Sequence, residues 1–511
     1  MRKASVVGAA ARTIRRFVDK QARERPGKAY LIAPETGREL TFGELKRQAQ
    51  NLSRFLLGCG YVPGDRIAFY CANGYQTAAI FLGTMYGGFV SVPLNLHSQA
   101  SHLDHVLAHS GVRVAFADAE HAEALAERVK ATGREIEVIV IDVDAPSLFV
   151  EERLPKIAVR APCEEDPALL MYTSGTTGRP KGCLLTQKNV ISGGLFVQQA
   201  HRLTPEDRVL SSLPLYHING QIVATVGPLV HGGSVVAPHR FSASQFWELL
   251  DRYECTWFNV VPTIISYLAA SGADTTQPDR RARVRFGRSA SAPLAPELHR
   301  AFERIFGLSI IETMGMTETA APIFTNPLEQ GARKYGSVGK PVGNAAKVVS
   351  LSGVPCNPGE IGELLVKGDN VMREYYANPE ETAKAIDADG WLHTGDLGYA
   401  DEDGYYFVTG RLKELIIKGG ENIAPREIDD ALYKHPAVMD AAAVGIPDAH
   451  YGQEILCAVV LKPGKNTSEA ELRAFCEKEL GRYKTPKVFR FVADLPKGPS
   501  GKVQRLKLLD A

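Results

Sequence analysis

One stretch of the sequence combines the residue types that bind phosphate. Residues 171–183 read MYTSGTTGRPKGC and follow an apolar run, 168–172, that predicts a buried strand. Glycines let a backbone approach a polyanion closely, hydroxyls donate hydrogen bonds, and a lysine adds positive charge. The spacing is not that of a Walker loop, because Arg179 and Pro180 precede the lysine, and a flexible surface loop is the alternative. The candidate phosphate-binding residues are Thr173, Ser174, Gly175, Thr176, Thr177, Gly178 and Lys181.

Four further stretches carry polar residues that a buried core would not contain. Residues 313–319 read TMGMTET, follow a predicted strand and present a carboxylate, Glu318. Residues 391–396 place an acid in a predicted glycine turn, and residues 410–422 are rich in lysine and glycine. Residues 496–502, PKGPSGK, lie near the C-terminus. Each stretch alone is typical of a turn or of a solvated charged face, so their meaning depends on their combination.

Length and charge limit the classes of function. A chain of 511 residues is too long for one compact core, which predicts two or more domains. The hydrophobic content of 45% and the charged content of 23% are ordinary for a globular protein. Lys and Arg total 59 against 58 acidic residues, so the net charge is +1 and no global field attracts nucleic acid or an anionic membrane.

The cysteines and the N-terminus bear on the compartment. The 8 cysteines form no C-x-x-C pair, which argues against structural zinc and a disulfide framework and favours a reducing compartment. No run of about 18 apolar residues occurs, so no membrane span is predicted. Residues 1–25 are basic but lack the apolar core of a secretory signal, and Ile14, Phe17 and Val18 follow helical spacing that Pro26 ends. We expect a folded helix here and a cytoplasmic location, a mitochondrial-type leader being the alternative.

Alternating strand and helix patterns over the first 345 residues predict an α/β fold. Such alternation predicts βαβ units and parallel sheets flanked by helices. Thr41 and Glu44 form a capping box for a helix, and Thr186 and Ser242 are predicted to cap two others. Strands are predicted at 66–70, 90–93, 113–117, 137–141, 168–172, 211–217, 234–237, 257–261, 285–292 and 308–312.

After about residue 345 the pattern changes to short strands and tight turns. Strands are predicted at 362–366, 404–408 and 414–417, and helices at 427–433 and 469–480. This texture predicts a small α+β domain at the C-terminal end. Residues 410–413 separate the two textures and are the predicted joint.

Taken together and in order, the five motifs resemble those of the adenylate-forming superfamily, which includes acyl-CoA synthetases, adenylation domains and luciferases. The resemblance covers nearly the whole chain. It implies an N-terminal adenylation domain, 1–410, and a C-terminal lid domain, 411–511, that moves about a hinge near Lys413. It also implies ATP, Mg²⁺ and coenzyme A as cofactors or cosubstrates.

The resemblance implies a role for each motif. The residues from Ser174 to Lys181 would cover the ATP phosphates, with Thr317 on phosphate and Glu318 ordering Mg²⁺. Asp396 would accept the ribose hydroxyls, with Arg411 as its partner on the nucleotide. Lys502 would stabilise charge during adenylation. Thr313 and Met314 would contact the adenine, Met314 standing where the family commonly has an aromatic ring, and Gly419 and Gly420 would line the pantetheine tunnel.

These residue types suit a two-step activation of a carboxylate. Attack of the acid on the α-phosphate of ATP makes a mixed anhydride and expels pyrophosphate, and cations neutralise the charge that gathers around phosphorus. A thiol with a pKa of about 8.5 then displaces AMP. One site cannot hold both geometries at once, which favours a mobile lid.

Within the superfamily the chain resembles the oxalate–CoA ligase branch most closely. The resemblance rests on 240–243, 256–257, 261–264, 288–289, 326–328 and 336–343. Asn219 and Ala321 stand where that branch has histidines, which weighs against oxalate itself. Our hypothesis is a short acid, for which a second carboxylate or a sulfonate is a candidate second anionic group. The candidate substrate residues are His217, Asn219, Asn259, Arg288, Ser289 and Ala290.

Several alternatives stay open at the sequence level. Arg288 is equally compatible with a structural salt bridge behind the sheet, because charged residues are seldom buried unpaired. Trp257, Phe258 and Ile264 could line a tunnel for a medium-chain or aryl acid. A stand-alone adenylation enzyme that loads a carrier protein and a non-catalytic nucleotide-binding protein are the other readings. The sequence does not fix the oligomeric state, a homodimer included.

Overall fold

The computed structural model describes residues 11–149, 151–173, 179–271, 282–496 and 503–509. The α-helices are α1 (Ile14–Glu24), α2 (Phe42–Gly58), α3 (Tyr75–Tyr86), α4 (Ala100–Ser110), α5 (Ala122–Thr132), α6 (Gln187–His201), α7 (Gly227–His231), α8 (Phe246–Arg252), α9 (Pro262–Ala270), α10 (Pro296–Phe306), α11 (Pro379–Ala385), α12 (Pro425–Tyr433) and α13 (Glu469–Lys484). A π-helix, Asn219–Val226, precedes α7.

The strands alternate with these helices. They are β1 (Ala29–Ala33), β2 (Arg38–Thr41), β3 (Arg66–Tyr70), β4 (Val90–Pro93), β5 (Val112–Asp118), β6 (Glu137–Ile141), β7 (Pro167–Thr173), β8 (Lys181–Thr186), β9 (Arg208–Leu210), β10 (Ser234–Val236), β11 (Trp257–Val260), β12 (Phe286–Ser289), β13 (Ile310–Met316), β14 (Ala321–Thr325), β15 (Lys340–Pro341), β16 (Ala345–Val349), β17 (Gly362–Lys367), β18 (Glu374–Tyr375), β19 (Leu392–Ala400), β20 (Tyr406–Arg411), β21 (Ile416–Lys418), β22 (Glu421–Ile423), β23 (Val438–Asp448), β24 (Gly452–Leu461) and β25 (Val488–Phe491).

Two large sheets form the N-terminal part of the chain. One has the order β15-β14-β13-β12-β11-β9-β10-β1-β2, with parallel pairing from β13 through β1. The other has the order β18-β8-β7-β4-β3-β5-β6, with parallel pairing from β7 through β6. The prediction of an α/β fold with parallel-rich sheets is therefore confirmed.

Two helices fill the space between these sheets. α3 contacts β1 and β2 of the first sheet and β3 and β4 of the second, and all of its residues are buried. α6 likewise contacts β7 and β8 on one side and β14 on the other. α3 is buried on every side, as a helix enclosed between two sheets must be. The main hydrophobic core therefore lies between the sheets and fixes their relative position.

The C-terminal part is smaller and mostly antiparallel. β16, β17, β19 and β20 form a four-stranded sheet, and β22, β21, β24 and β23 form another, with β25 parallel to β24. α12 and α13 cover one face of the last sheet, where Ile428, Leu432 and Leu472 pack against Ile455 and Val459. The prediction of a small α+β unit at the C-terminal end is confirmed.

Local capping was predicted correctly in two of three cases. Thr41 and Glu44 form the expected capping box of α2, and Thr186 caps α6. Ser242 does not cap α8, because that helix begins only at Phe246 and the Ser242 hydroxyl pairs with Ser244 instead.

One predicted strand does not exist. Residues 211–217 were expected to form a strand, but β9 ends at Leu210. Pro214 has no N–H for a strand ladder, and its carbonyl accepts a hydrogen bond from the backbone N–H of His217 at 3.0 Å. The segment therefore turns and leads into the π-helix.

The described part of the chain offers no helix with the length and apolarity that a bilayer crossing requires. All 8 cysteines are free thiols. Within the described ranges, no three His, Cys, Asp or Glu side chains gather as a metal site would need.

Candidate active site

The predicted phosphate loop connects two antiparallel strands. β7 ends at Thr173 and β8 begins at Lys181, and these two residues lie opposite each other in the sheet. The described residues do not include five of the predicted phosphate-binding residues, Ser174, Gly175, Thr176, Thr177 and Gly178. The chain returns from the loop as a strand and not as a helix, so the site differs from a Walker loop in its geometry as well as in its spacing.

Lys181 is held by two side chains that the sequence reading missed. Its amine forms an ion pair with Glu381 and lies 4.9 Å from the ring centroid of Tyr375. The ion pair with Lys181, together with Lys384, lowers the pKa of Glu381 to about 2. Only the N-cap Asn378 followed by Pro379, which predicts the start of α11, could have drawn attention to this segment.

The predicted magnesium carboxylate lies next to this lysine. Glu318 is buried at the end of β13, in a helical turn of residues 317–319, and its Oε1 accepts a hydrogen bond of 2.9 Å from the Tyr375 hydroxyl. Burial, followed by the charge of Glu318, raises the pKa of Tyr375, so its hydroxyl stays protonated and donates. Thr317, at the start of the turn, is half-buried.

The backbone around Glu318 is tightly packed and strained. Ala320 and Ala321 adopt φ of 45° and 75°, a region that costs non-glycine residues free energy and recurs at functional sites. A Cβ at Gly315 would lie 1.8 Å from the carbonyl oxygen of Ala321, so only glycine fits there. Thr313 and Met314 precede it on β13, and the Thr313 hydroxyl donates to the carbonyl of Ser289 at 3.3 Å. This hydrogen bond links residues 313–319 directly to β12, the strand that carries Arg288.

Asp396 lies in a strand, which corrects the prediction of a glycine turn. It belongs to β19 and pairs with Arg411 on β20, and the Asp396 carboxylate lies 2.9 Å from the Arg411 guanidinium. Gly395 has φ of +70°, but the pairing of β19 with β20 is not interrupted there. The register of this pairing shifts between residues 397 and 398 instead. The charge of Asp396 raises the pKa of Arg411, and Glu318 adds a smaller effect in the same direction. The predicted ribose-binding pair, Asp396 and Arg411, therefore interacts electrostatically with the predicted metal carboxylate, Glu318.

Three of the predicted substrate residues form one buried polar cluster. Nη1 of Arg288 donates to Oδ1 of Asn219 at 2.9 Å and to Oδ1 of Asn259 at 3.0 Å. Asn259 also donates to Asn219 at 3.1 Å, and Asn219 donates to the hydroxyl of Ser291 at 3.2 Å. Arg288 and Asn259 lie side by side on β12 and β11, so the sheet register brings them together. Ser291, which has φ of 73°, is a further cluster residue that the sequence reading missed.

No described residue compensates the charge of Arg288 with an opposite one. It is 1% exposed, its Nε has no hydrogen-bond partner, and it forms no salt bridge with any of the described residues. Burial lowers its pKa to about 9. The alternative of a structural salt bridge therefore finds no partner in the described part of the chain.

Of the three other predicted substrate residues, Ser289 and Ala290 fall outside this cluster, and His217 lies two residues before Asn219. Successive residues of a strand point to opposite faces, so the buried Ser289 side chain faces away from that of Arg288. Ala290 follows the strand, and its N–H donates to the carbonyl of Val260 at 3.3 Å. His217 lies just before the π-helix that carries Asn219, with its ring 5.0 Å from that of Tyr216.

The predicted pantetheine glycines lie in the last sheet, separate from these groups. Gly419 and Gly420 form a two-residue hairpin turn with φ of 56° and 87°, the conformation that such a turn requires. A Cβ at Gly419 would lie 2.9 Å from the Tyr483 hydroxyl and 3.2 Å from the Tyr451 ring.

Lys502 lies outside the described residues. On either side of it, the N–H of Gln504 donates to the carbonyl of Pro496 at 2.7 Å, and Arg505 forms ion pairs with Asp429 and Glu414. Glu414 belongs to the short turn that follows β20, so this network joins the two ends of the last unit.

Comparison with known proteins gives consistent likenesses. The family model described as AMP-binding enzyme matches residues 18–376, and that described as AMP-binding enzyme C-terminal domain matches residues 427–502. The sulfoacetate–CoA ligase of Cupriavidus necator is 52% identical over 500 residues, which cover 98% of this chain and 97% of that protein. The oxalate–CoA ligase of Arabidopsis thaliana is 36% identical over 471 residues, 89% of each chain.

A solved structure extends the likeness to three dimensions. The o-succinylbenzoate–CoA synthetase of Bacillus subtilis in complex with ATP and magnesium ion superposes with a TM-score of 0.85 at 30% identity. The superposition covers 97% of this chain and 99% of that one, so it includes both the large sheets and the last sheet.

Proposed function

Because this chain belongs to the AMP-binding enzyme family and is an AMP-forming acid–CoA ligase, we propose that its acid is a short dianion, with sulfoacetate as the preferred substrate. The enzyme uses ATP and CoA, as the family does. The 52% identity to a sulfoacetate–CoA ligase supports this choice of acid, and the oxalate–CoA ligase relative supports the short length.

The single observation that carries the proposal is the buried guanidinium of Arg288, which has no ion-pair partner among the described residues. A buried charge is costly unless an opposite charge and hydrogen bonds compensate it. An acid with a second anionic group can supply that charge while its carboxylate attacks ATP, whereas a fatty or aryl acid has no anionic group besides that carboxylate. Arg288 presents a planar fork of donors, which suits a sulfonate or a carboxylate. Asn219 and Asn259 accept from Nη1, whereas Nε has no hydrogen-bond partner among the described residues.

The roles of the remaining residues follow from this arrangement. Arg288 would hold the sulfonate, so that the carboxylate faces the nucleotide. We assign His217 to the carboxylate end of the acid, because it adjoins the π-helix that bears Asn219. π-helical segments are frequent at functional sites.

The nucleotide would lie between the phosphate loop and the β19–β20 pair. Lys181 and the loop before it would hold the phosphates, with Thr317 beside them. Asp396 would accept hydrogen bonds from the ribose hydroxyls, steadied by Arg411 at 2.9 Å, and Thr313 and Met314 would contact the adenine. Lys502 would stabilise the charge that develops as the acid attacks.

Glu318 fits a magnesium site shared with the substrate. Mg²⁺ is usually bound by one or two carboxylates together with substrate phosphates, not by a cage of protein ligands. The described residues contain no such cage. Glu318 is buried, one of its carboxylate oxygens accepts a hydrogen bond from Tyr375, and the other accepts no hydrogen bond from the described residues. When bound, the ion would neutralise phosphate charge during the attack.

We also propose that the two domains meet at residues 410/411, with a hinge near Lys413. The Gly419–Gly420 turn would line the tunnel for the pantetheine of CoA. In support, Lys413 lies in an exposed three-residue turn, Leu412–Glu414, between the last two sheets. The 8 free cysteines support a reducing, cytoplasmic location.

The test is pyrophosphate release with ATP, Mg²⁺ and CoA across sulfoacetate, oxalate, malonate, acetate, octanoate and benzoate. We expect sulfoacetate to give the highest kcat/KM and acetate to be poor. A preference for octanoate or benzoate would overturn the dianion assignment and leave the ligase chemistry intact. If a phosphopantetheinylated carrier protein discharges the acyl-adenylate better than CoA, the assignment of CoA as the physiological acceptor fails.

A further inference from the structure

Tyr375 contacts both groups that flank the phosphate loop. It lies on β18, which pairs antiparallel with β8, and stands opposite Cys183 near the start of that strand. The amine of Lys181 lies 4.9 Å from its ring centroid, and its hydroxyl donates to Glu318 at 2.9 Å. One side chain thus bridges the base of the phosphate loop and the carboxylate at the end of β13.

Neighbouring residues restrict the side chains of both Glu318 and Lys181. Glu318 is 8% exposed, and the described residues give its carboxylate no other side-chain hydrogen bond. Its backbone carbonyl accepts from the N–H of Met372 at 2.7 Å, three residues before Tyr375. β18 and the segment just before it therefore hold Glu318, the segment through the N–H of Met372 and β18 through the tyrosine hydroxyl. Lys181 is enclosed in the same way, by the tyrosine ring on one side and by Glu381 on the other.

We propose that Tyr375 is a positioning residue for the carboxylate that would hold the metal ion: its hydroxyl fixes Glu318 by binding one carboxylate oxygen, which would leave the other oxygen for the ion, and its ring keeps Lys181 at the base of the phosphate loop. This inference rests on the metal role proposed for Glu318. Removing the hydrogen-bond partner of a metal ligand typically lowers metal affinity or activity about 10–100-fold.

Tyr375→Phe is the informative variant, because it removes only the hydroxyl and keeps the ring beneath Lys181. Its matched control is Tyr376→Phe at the next position, whose ring packs edge-on against His109 at 5.6 Å. Glu318→Gln tests the metal role itself.

The first measurement is direct Mn²⁺ binding, followed by the electron paramagnetic resonance signal of free Mn²⁺, with a non-hydrolysable ATP analogue present. We expect Tyr375→Phe to raise the dissociation constant of Mn²⁺ about 10-fold. The affinity for the ATP analogue in EDTA should equal that of the wild type. Tyr376→Phe should match the wild type in both measurements.

The second measurement separates positioning from general damage to the fold. Tyr375→Phe should need more Mg²⁺ for pyrophosphate release, while the conversion of supplied acyl-adenylate and CoA to thioester stays unchanged. In the Glu318→Gln background, Tyr375→Phe should cause no further loss of Mn²⁺ affinity, since the hydroxyl acts through that carboxylate.

Two results would overturn the inference. One is unchanged Mn²⁺ affinity in Tyr375→Phe, and the other is an equal loss in Tyr376→Phe. If Glu318→Gln itself binds Mn²⁺ as the wild type does, the proposed metal role of Glu318 fails, and with it the premise. That outcome differs visibly from a failure of Tyr375 alone.

Discussion

Replacing Arg288 by methionine should change which acid the enzyme accepts. The side chain is 1% exposed, and burial lowers its pKa from 12.5 to about 9. That difference corresponds to about 5 kcal/mol by which burial disfavours the charged form. A dianionic acid relieves part of this cost when its second anionic group meets the guanidinium.

The expected loss follows from the removal of one partner of a buried charge pair. Such truncations cost about 2–5 kcal/mol, and each 1.4 kcal/mol is tenfold, so we expect kcat/KM for sulfoacetate to fall roughly 30- to 4,000-fold in Arg288→Met. Acetate lacks the second group, so its kcat/KM should stay within about threefold. The ligand-free variant should unfold at the same or a higher temperature, because an uncompensated buried cation has been removed.

The assay is pyrophosphate release with each acid, together with thermal unfolding of the ligand-free protein. Arg283→Met is the control, since Arg283 is exposed and pairs with Glu254 at 2.6 Å. An equal fall for both acids, or a lower melting temperature for Arg288→Met than for the control, would show that Arg288 supports the fold. Unchanged sulfoacetate kinetics would refute the pairing outright.

Three further changes test other parts of the molecule. Burial raises the pKa of Glu312 to about 7 from 4.5, so the native chain keeps a proton that the unfolded chain releases between these values, and stability falls as pH rises through them. Glu312→Gln should therefore be more stable than the wild type by up to about 3 kcal/mol above pH 7 and equal to it at pH 4, as measured by urea unfolding; a difference independent of pH contradicts this. Asp396→Asn should raise the KM for ATP about 10- to 100-fold and discriminate less against 3′-deoxy-ATP, because a charged acceptor for the ribose hydroxyls is lost; unchanged discrimination argues against ribose binding. Gly419→Ala should slow thioester formation from acyl-adenylate about 10-fold without affecting pyrophosphate release, since φ of +56° and the Tyr483 hydroxyl at 2.9 Å both oppose a Cβ. Gly464→Ala, with φ of +73° and nothing within 4 Å, should leave both steps unchanged, and an equal effect there would point to general strain.

Sequence reasoning performed best where the signal is local. The capping boxes of Thr41 and Thr186 need only residues within one helical turn, and both are present. Apolar alternation between strands and helices was enough to predict the α/β class. The prediction of a strand at 211–217 was wrong. Periodicity does not show where a strand ends, so the apolar run around Pro214 could not be told apart from a continuation of β9, which ends at Leu210.

The candidate site was harder because its contacts are distant in sequence. Arg288, Asn219 and Asn259 were all named as candidates, but their hydrogen bonds depend on the register of β11 with β12 and on the π-helix. The same register sets Ser289 on the opposite face. Tyr375 lies 57 residues from Glu318, and no local pattern announces such a pairing.

The buried charge of Arg288 also bears on how long the enzyme persists in a cell. A native state that contains an uncompensated buried charge is less stable without its ligand, and a ligand that binds only the native state stabilises it by RT ln(1 + [L]/Kd). At a hundredfold excess over Kd this is about 2.7 kcal/mol, enough to change the unfolded fraction on which proteases act by about 100-fold. The abundance of the enzyme would then follow the supply of its acid without any regulator of transcription, since the same guanidinium that selects the substrate makes the idle chain the easier one to degrade.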